Sequence, residues 1–300
     1  MWGAIIAAHS TKEGVMPKGM YVVFTNCKDP KRHEEYNRWY SRTHIGDLTK
    51  AKGSTGATRY LNVQPAPGQG QYLVLYTFDH PDLLSCVGDL GRLASQTFVD
   101  GRHIDCLEAV GLHLFRELKA EDYPPLKDVN YPAQPSPITP TSHKLSPVVP
   151  GIPLNNRMVR LVFSTCSDPK RDEEFNSWHF HTHIPDLKSK GLVRSTRWKN
   201  VLPKSKETPF LRIVSEYISI YEFEGKPTVE DSLQDFLGAA HKTFGGGRII
   251  DCLERNGSAN FQEIDGNSIK PLEKLAYPQR ATSGPVALRE QQAAQARAQN

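Results

Sequence analysis

The chain has 300 residues, 38% of them hydrophobic and 23% charged, which is enough apolar material for a real core and excludes a disordered protein. Thirty-seven Lys and Arg against 33 Asp and Glu leave a net charge of +4, spread along the chain rather than gathered on one run, so a nucleic-acid binder is not expected. No stretch approaches the roughly 18 apolar residues of a membrane span. The opening MWGAIIAAHSTKEG has neither the basic flank nor the long apolar stretch of a secretory leader. Five Cys form an odd, sparse set that reads as reduced thiols in the cytoplasm.

In chain order, residues 1–17 form an N-terminal extension, and MYVVFT from Met20 to Thr25 is a β-rich apolar run. Asp29 before Pro30 is a helix start, and Tyr36, Trp39 and Tyr40 then fall at the i, i+3, i+4 spacing of one helix face that ends near Gly46-Asp47. Strands over 55–63 and 72–78, a helix over 81–98 and a strand over 103–115 complete the order βαββαβ, a ferredoxin-like split unit. Residues 119–156 carry nine Pro and read as a linker.

The pattern then recurs. CSDPKRDEEFNSWHFHTHIPDL (166–187) matches CKDPKRHEEYNRWYSRTHIGDL (27–48) at 14 of 22 positions, and GRIIDCLE (247–254) matches GRHIDCLE (101–108). A period of about 140 residues is a duplicated domain rather than a solenoid. The second copy predicts a strand over 158–165, a helix after Asp168-Pro169, strands over 193–201 and 212–223, a helix over 228–243 and a strand over 249–262. Residues 265–300 are a polar tail. One such unit leaves a sheet face bare, and Tyr60, Tyr72, Tyr76, Trp198, Tyr217 and Tyr221 argue against its exposure. The expected fold class is therefore α+β: two repeats, 18–118 and 157–264, packed sheet to sheet as an intramolecular α+β barrel with a cavity between the sheets.

The segments NRWYSRTHIGDL and NSWHFHTHIPDL resemble the dimeric α+β-barrel superfamily, in particular its EthD-like members, with their W-[YH]-x-x-x-H-[IL]-P-[DE]-[LM] signature. The resemblance covers both repeats, about 200 residues, and neither the linker nor the tail. It implies the fold more than the reaction. Similar barrels include cofactor-free cyclases, lactone isomerases, monooxygenases, decarboxylases and haem enzymes of the chlorite dismutase type.

Among the residues, His44 and His183 occupy matching positions and suit proton transfer near neutral pH, with Asp47 and Asp186 three residues on to orient the rings. A helix-ending turn explains the same motif equally well. The copies differ in that His179 and His181 stand where the first has Tyr40, its own candidate catalytic group, and Arg42. His179 and His183 at i, i+4 share a helix face and form an acid–base pair, whereas His181 points to the surface. Lacking a third ligand, the cluster is not expected to hold a metal. Arg59 and Arg197 could hold a substrate carboxylate, Tyr76 and Tyr221 could donate to a developing oxyanion, and Trp39, Trp178 and Tyr217 line the substrate. For any single Tyr, core packing is the favoured reading. Arg102 with Asp105, and Arg248 with Asp251, read as ion pairs at the start of the last strands. The cysteines, repeated within strands, read as buried hydrophobes.

The leading expectation is a cofactor-independent lyase, decarboxylase-like, acting on a small aromatic or phenolic acid through His-mediated proton transfer. The second copy carries the more active site. The alternatives are a cyclase or isomerase, a haem- or oxygen-using barrel enzyme, and a non-catalytic binder of an apolar aromatic ligand. The expected partners are a small aromatic substrate and a second copy in a homodimer, with neither nucleic acid nor membrane.

Overall fold

The computed structural model describes residues 18–64, 69–127, 131, 145–202, 215–225 and 228–272. The N-terminal extension, most of the Pro-rich linker and the tail beyond residue 272 lie outside them. Eight antiparallel strands form the sheet: β1 (Lys18–Cys27), β2 (Ser54–Asn62), β3 (Tyr72–Asp79), β4 (Leu107–Leu118), β5 (Leu154–Cys166), β6 (Leu192–Asn200), β7 (Tyr217–Glu224) and β8 (Leu253–Ile264). They close in the order β1-β3-β2-β8-β5-β7-β6-β4, so each half contributes four strands and the halves join where β2 pairs β8 and β4 pairs β6. Closure leaves no free sheet edge.

Strand alternation sorts the side chains into two layers. Met20, Val22, Phe24, Leu73, Leu75, Phe115, Leu161, Phe163, Ile218 and Phe261 fill the barrel. Phe24 lies 6.3 Å from Phe163 and 5.9 Å from Phe261, centroid to centroid, so the middle of the barrel is packed solid. The expected space between the sheets is therefore not at the centre but at one mouth of the barrel, where a cavity of about 400 Å³ is lined by Met20, Tyr60, Leu75, Val159, Trp198 and Ile220. Of the aromatics assigned to that cavity, only Tyr60 and Trp198 turn inward, while Tyr72, Tyr76, Tyr217 and Tyr221 face outward under the helices.

The outer layer is covered by helix α1 (His33–Trp39), a π turn (Tyr40–His44), α2 (Ile45–Leu48) and α3 (Leu83–Val99) in the first half. The second half repeats it with α4 (Asp172–Trp178), a π turn (His179–His183), α5 (Ile184–Asp186) and α6 (Val229–Gly245). Asp29 and Asp168 cap the turns that lead into α1 and α4, accepting from the Lys31 and Lys170 amides with proline next in line. The last strands start later than their apolar content suggested. The GR-x-I-D-C segments are loops that bury Ile104, Cys106, Ile250 and Cys252 before β4 and β8 begin. Their ions also pair differently from expectation: Asp105 binds Arg32 and Asp251 binds Arg171, both at 2.5 Å. Arg102 and Arg248 turn instead to Asp47 and Asp186, at 2.9 and 3.1 Å.

The chain leaving each half's last strand crosses to strap the other half's helices. Beyond β4, the Tyr123 carbonyl meets His181 Nε2 at 2.6 Å and the Pro124 carbonyl accepts from Ser177. Beyond β8, Arg42 donates to the carbonyls of Ile269 and Asn267, at 2.6 and 2.8 Å. His181 and Arg42 are thus equivalent clamps on the surface.

Phe163 is 2% exposed at the centre of the packed barrel, and truncating it leaves a void that rigid neighbours on several strands cannot fill. Phe163→Ala should therefore lower the unfolding free energy by about 3–5 kcal/mol, measured by urea denaturation.

Candidate functional site

The outer layer of the second half holds the candidate site. At the end of α4 the helix widens into a π turn, a distortion found often at functional positions, and this turn lays His179 and His183 against the sheet, ring centroids 4.9 Å apart. His183 stacks on Trp178 at 4.9 Å, and the Trp178 indole donates to the Arg248 carbonyl at 3.3 Å. The first half repeats the geometry: His44 stacks on Trp39 at 4.6 Å and Trp39 donates to the Arg102 carbonyl. Burial brings both His44 and His183 down to about 3, and drives His179 well below the ordinary value, with Arg197 opposing a second positive charge. All three are neutral imidazoles near pH 7.

Arg59 and Arg197 also lie in this layer, buried and caged by aromatic rings. The Arg59 guanidinium sits 4.4 Å from Tyr40 and 5.3 Å from Tyr72, and donates to Ser41 Oγ at 2.8 Å. Arg197 sits 4.5 Å from Tyr217 and 4.8 Å from Phe175, and donates to Asn176 Oδ1 at 2.8 Å and Ser219 Oγ at 3.1 Å. Ser219 Oγ in turn shares a 3.0 Å hydrogen bond with His179 Nε2. Among the described residues neither guanidinium meets a carboxylate, and Nη2 of each has no hydrogen-bond partner. Tyr217 is held by Asp172 and Asn176; burial and the Asp172 carboxylate raise its pKa, and the Asn176 amide opposes them.

Asp47 and Asp186 do not orient the histidines. Their ion pairs run to Arg102 and Arg248, and Nδ1 of His44 and of His183 has no hydrogen-bond partner. This corrects the expected role of the aspartates. Among the described residues no group of three His, Cys, Asp or Glu side chains is placed to hold a metal ion.

Between α6 and strands β5, β7 and β8 opens a cavity of about 540 Å³. Its walls are apolar, from Val162, Leu187, Phe236, Leu237 and Phe244, and His183 and Tyr221 stand on them. The charged or ionisable lining is otherwise Arg160, His241, Lys242 and Arg255, with no acid. Arg255 reaches it because of a β-bulge. The β5–β8 register shifts between Phe163 and Ser164, so Arg255 pairs opposite Ser164 on the helix side instead of pointing into the barrel. Gly257, at φ 133°, supplies the backbone conformation this bulge needs.

Aligned on the matching strands and helices, the first half has Tyr21 for Arg160, Ser95 for His241, Gln96 for Lys242 and Ala109 for Arg255. Its Tyr40 and Tyr76 hydroxyls lie 3.4 Å apart and satisfy each other. Sequence reasoning missed these four second-half residues and Ser219. The signal lay in the divergence between the repeats along strands and helices, which the motif comparison did not reach.

No family profile matches the chain, and no curated protein matches it in sequence. Solved structures do resemble it. A protein provisionally named a chlorite dismutase shares 12% identity, with 85% of this chain and 98% of that chain covered and a TM-score of 0.49. A variant chlorite dismutase from Candidatus Nitrospira defluvii shares 10% over 84% and 93%, with a TM-score of 0.46. A provisionally named monooxygenase from Fusobacterium nucleatum shares 10% over 84% and 94%, with a TM-score of 0.44. At this identity the likeness is one of α+β architecture and transfers no residue roles. The EthD-like resemblance rests on the repeated tryptophan–histidine motif alone.

The expected cofactor-independent decarboxylase is corrected here. The imidazoles assigned to proton transfer are held neutral far below physiological pH by burial, which leaves them poor proton acceptors near pH 7. No helix among the described residues is long and apolar enough to cross a membrane.

The buried histidines make acid unfolding steep. In the folded state His44 and His183 titrate near 3, and His103 and His113 near 4, all below the ~6.5 of an unfolded histidine. The unfolded chain thus binds more protons below about pH 6.5, so stability is intact above that pH and falls as pH drops towards 3. Each such histidine adds up to ~1.4 kcal/mol per pH unit to the slope. His44→Gln and His183→Gln should each flatten the dependence of urea midpoint on pH between 6 and 4.

Proposed function

We propose that the chain is an enzyme of the haem- or oxygen-using kind, built as two ferredoxin-like repeats (18–118 and 157–264), with its working site in the cavity of the second repeat. The observation that carries this reading is a neutral buried imidazole, His183, on the wall of an apolar cavity whose charged lining is entirely cationic. The matching region of the first repeat is filled by Tyr21, Tyr40 and Leu112 within its core.

The residues present suit a haem in kind. A haem ligand must be an unprotonated imidazole, and burial holds His183 in that state. Its orphaned Nδ1 leaves the ring free of any competing hydrogen bond at that atom. Phe236, Leu237 and Phe244 offer apolar surface to a flat macrocycle, and Arg160, Lys242 and Arg255 offer partners to its carboxylates. When bound, haem would supply a redox-active iron to an oxygen species. The chain's own part is to hold that group through His183, keep water out with the α6 side chains and keep His179 fixed through Ser219.

Adding haem to the purified protein should give a saturable Soret band at one equivalent per chain. His183→Ala should abolish the imidazole-ligated spectrum and His44→Ala should preserve it, both variants remaining folded by circular dichroism. No saturable uptake, or equal loss in the two variants, would refute the proposal.

A further inference from the structure

We infer that Arg160, Tyr221 and Arg197 form an oxyanion-binding site at the back of the second-half cavity. The inference rests on that cavity being the working site, and not on haem. Arg160 on β5 is the cross-strand partner of Tyr221 on β7, and on β6 Ser195 pairs with Tyr221 while Arg197 pairs with Ser219, one position diagonal to it. All three side chains therefore share the helix-facing side of adjacent strands; Arg160 and Tyr221 line the cavity, Arg197 lies behind it, and both guanidinium charges act on the Tyr221 hydroxyl. Tyr221 is 1% exposed and its hydroxyl has no hydrogen-bond partner.

Among the described residues the two guanidinium groups have only neutral partners. Arg160 donates to Asn260 Oδ1 at 3.0 Å and Ser258 Oγ at 2.9 Å, and Arg197 to Asn176 and Ser219. Arg197 Nη2 donates to nothing. One cation buried and one half-buried, with no counter-anion among the described residues and beside a phenol with an unused donor, are costly unless an anion completes them. Desolvation shows in both guanidinium groups, whose pKa values fall to about 10. The occupant that fits accepts several hydrogen bonds and carries one negative charge: a carboxylate or a small inorganic oxyanion. The first half has dismantled the arrangement. Tyr21 replaces Arg160 opposite Tyr76, and the Tyr76 hydroxyl is already partnered by Tyr40.

Calorimetric titration of the full chain with octanoate, octanol and formate tests this. Octanoate should bind at least about tenfold more tightly than octanol, the margin expected of charge-assisted hydrogen bonds. Arg160→Gln should erase that preference, Arg160→Lys should keep part of it, and Tyr221→Phe should reduce it several-fold. Tyr21→Phe in the first half should leave it unchanged. Displacement of octanoate by formate would assign the site to free oxyanions, and failure to displace would assign it to head groups anchored by an apolar tail. Equal binding of octanoate and octanol, or a preference that survives Arg160→Gln, would overturn the inference. A preference that persists in protein that takes up no haem would remove the haem reading alone.

Discussion

Everything in this molecule depends on the two-residue alternation of strands in a closed barrel. Once eight strands close, each side chain must point either into the barrel or out towards the helices, and there is no third environment. The inward set is mostly apolar and fills the middle of the barrel, where Phe24, Phe163 and Phe261 meet and His113 packs beside Phe24. The buried arginines and the His179–His183 pair lie instead in the outer layer. Arg59 and Arg197 turn outward for the same reason that Tyr60 and Trp198, one position on, turn inward.

The outer layer solves a different problem in each half. Both halves bury an arginine among aromatic rings, and in both a π turn presses a histidine against a tryptophan. That shared core is structural: flat rings and a flat guanidinium stack efficiently, and cation–π contact partly offsets lost hydration. In the first half the remaining space is closed by tyrosines whose hydroxyls satisfy each other. In the second, Arg160, Lys242 and Arg255 replace neutral residues, and a cavity of about 540 Å³ separates α6 from the sheet. Duplication supplied two copies of one scaffold, so one could keep packing while the other kept space.

The bulge in β8 shows how a small backbone irregularity changes the charge of a site. Without it, Arg255 would follow the parity of Gly257 and enter the barrel core, where a guanidinium has no partner. With it, the same residue lies over Phe244, 5.4 Å from the ring centroid, at the cavity wall. The first half has a matching shift between Phe24 and Thr25 that delivers Ala109 instead. The backbone device is common to both halves and the side chain decides its use.

How much could be read without coordinates follows from the range of the interactions involved. The duplication, the element order, the Asp-Pro helix starts and the pairing of His179 with His183 on one face are local, and each is written within a few residues. The sequence by itself also determined that Arg59 and Tyr60 must face opposite ways. Which of the two faced the helices was decided by closure of the barrel, a property of all eight strands together. The partners of Asp47 and Asp186 were likewise decided in tertiary structure, because Arg102 and Arg248 arrive from loops more than fifty residues away. The cavity was least legible of all: it exists through the volume left between one helix and three strands, and volume is a sum over distant side chains that no local pattern records.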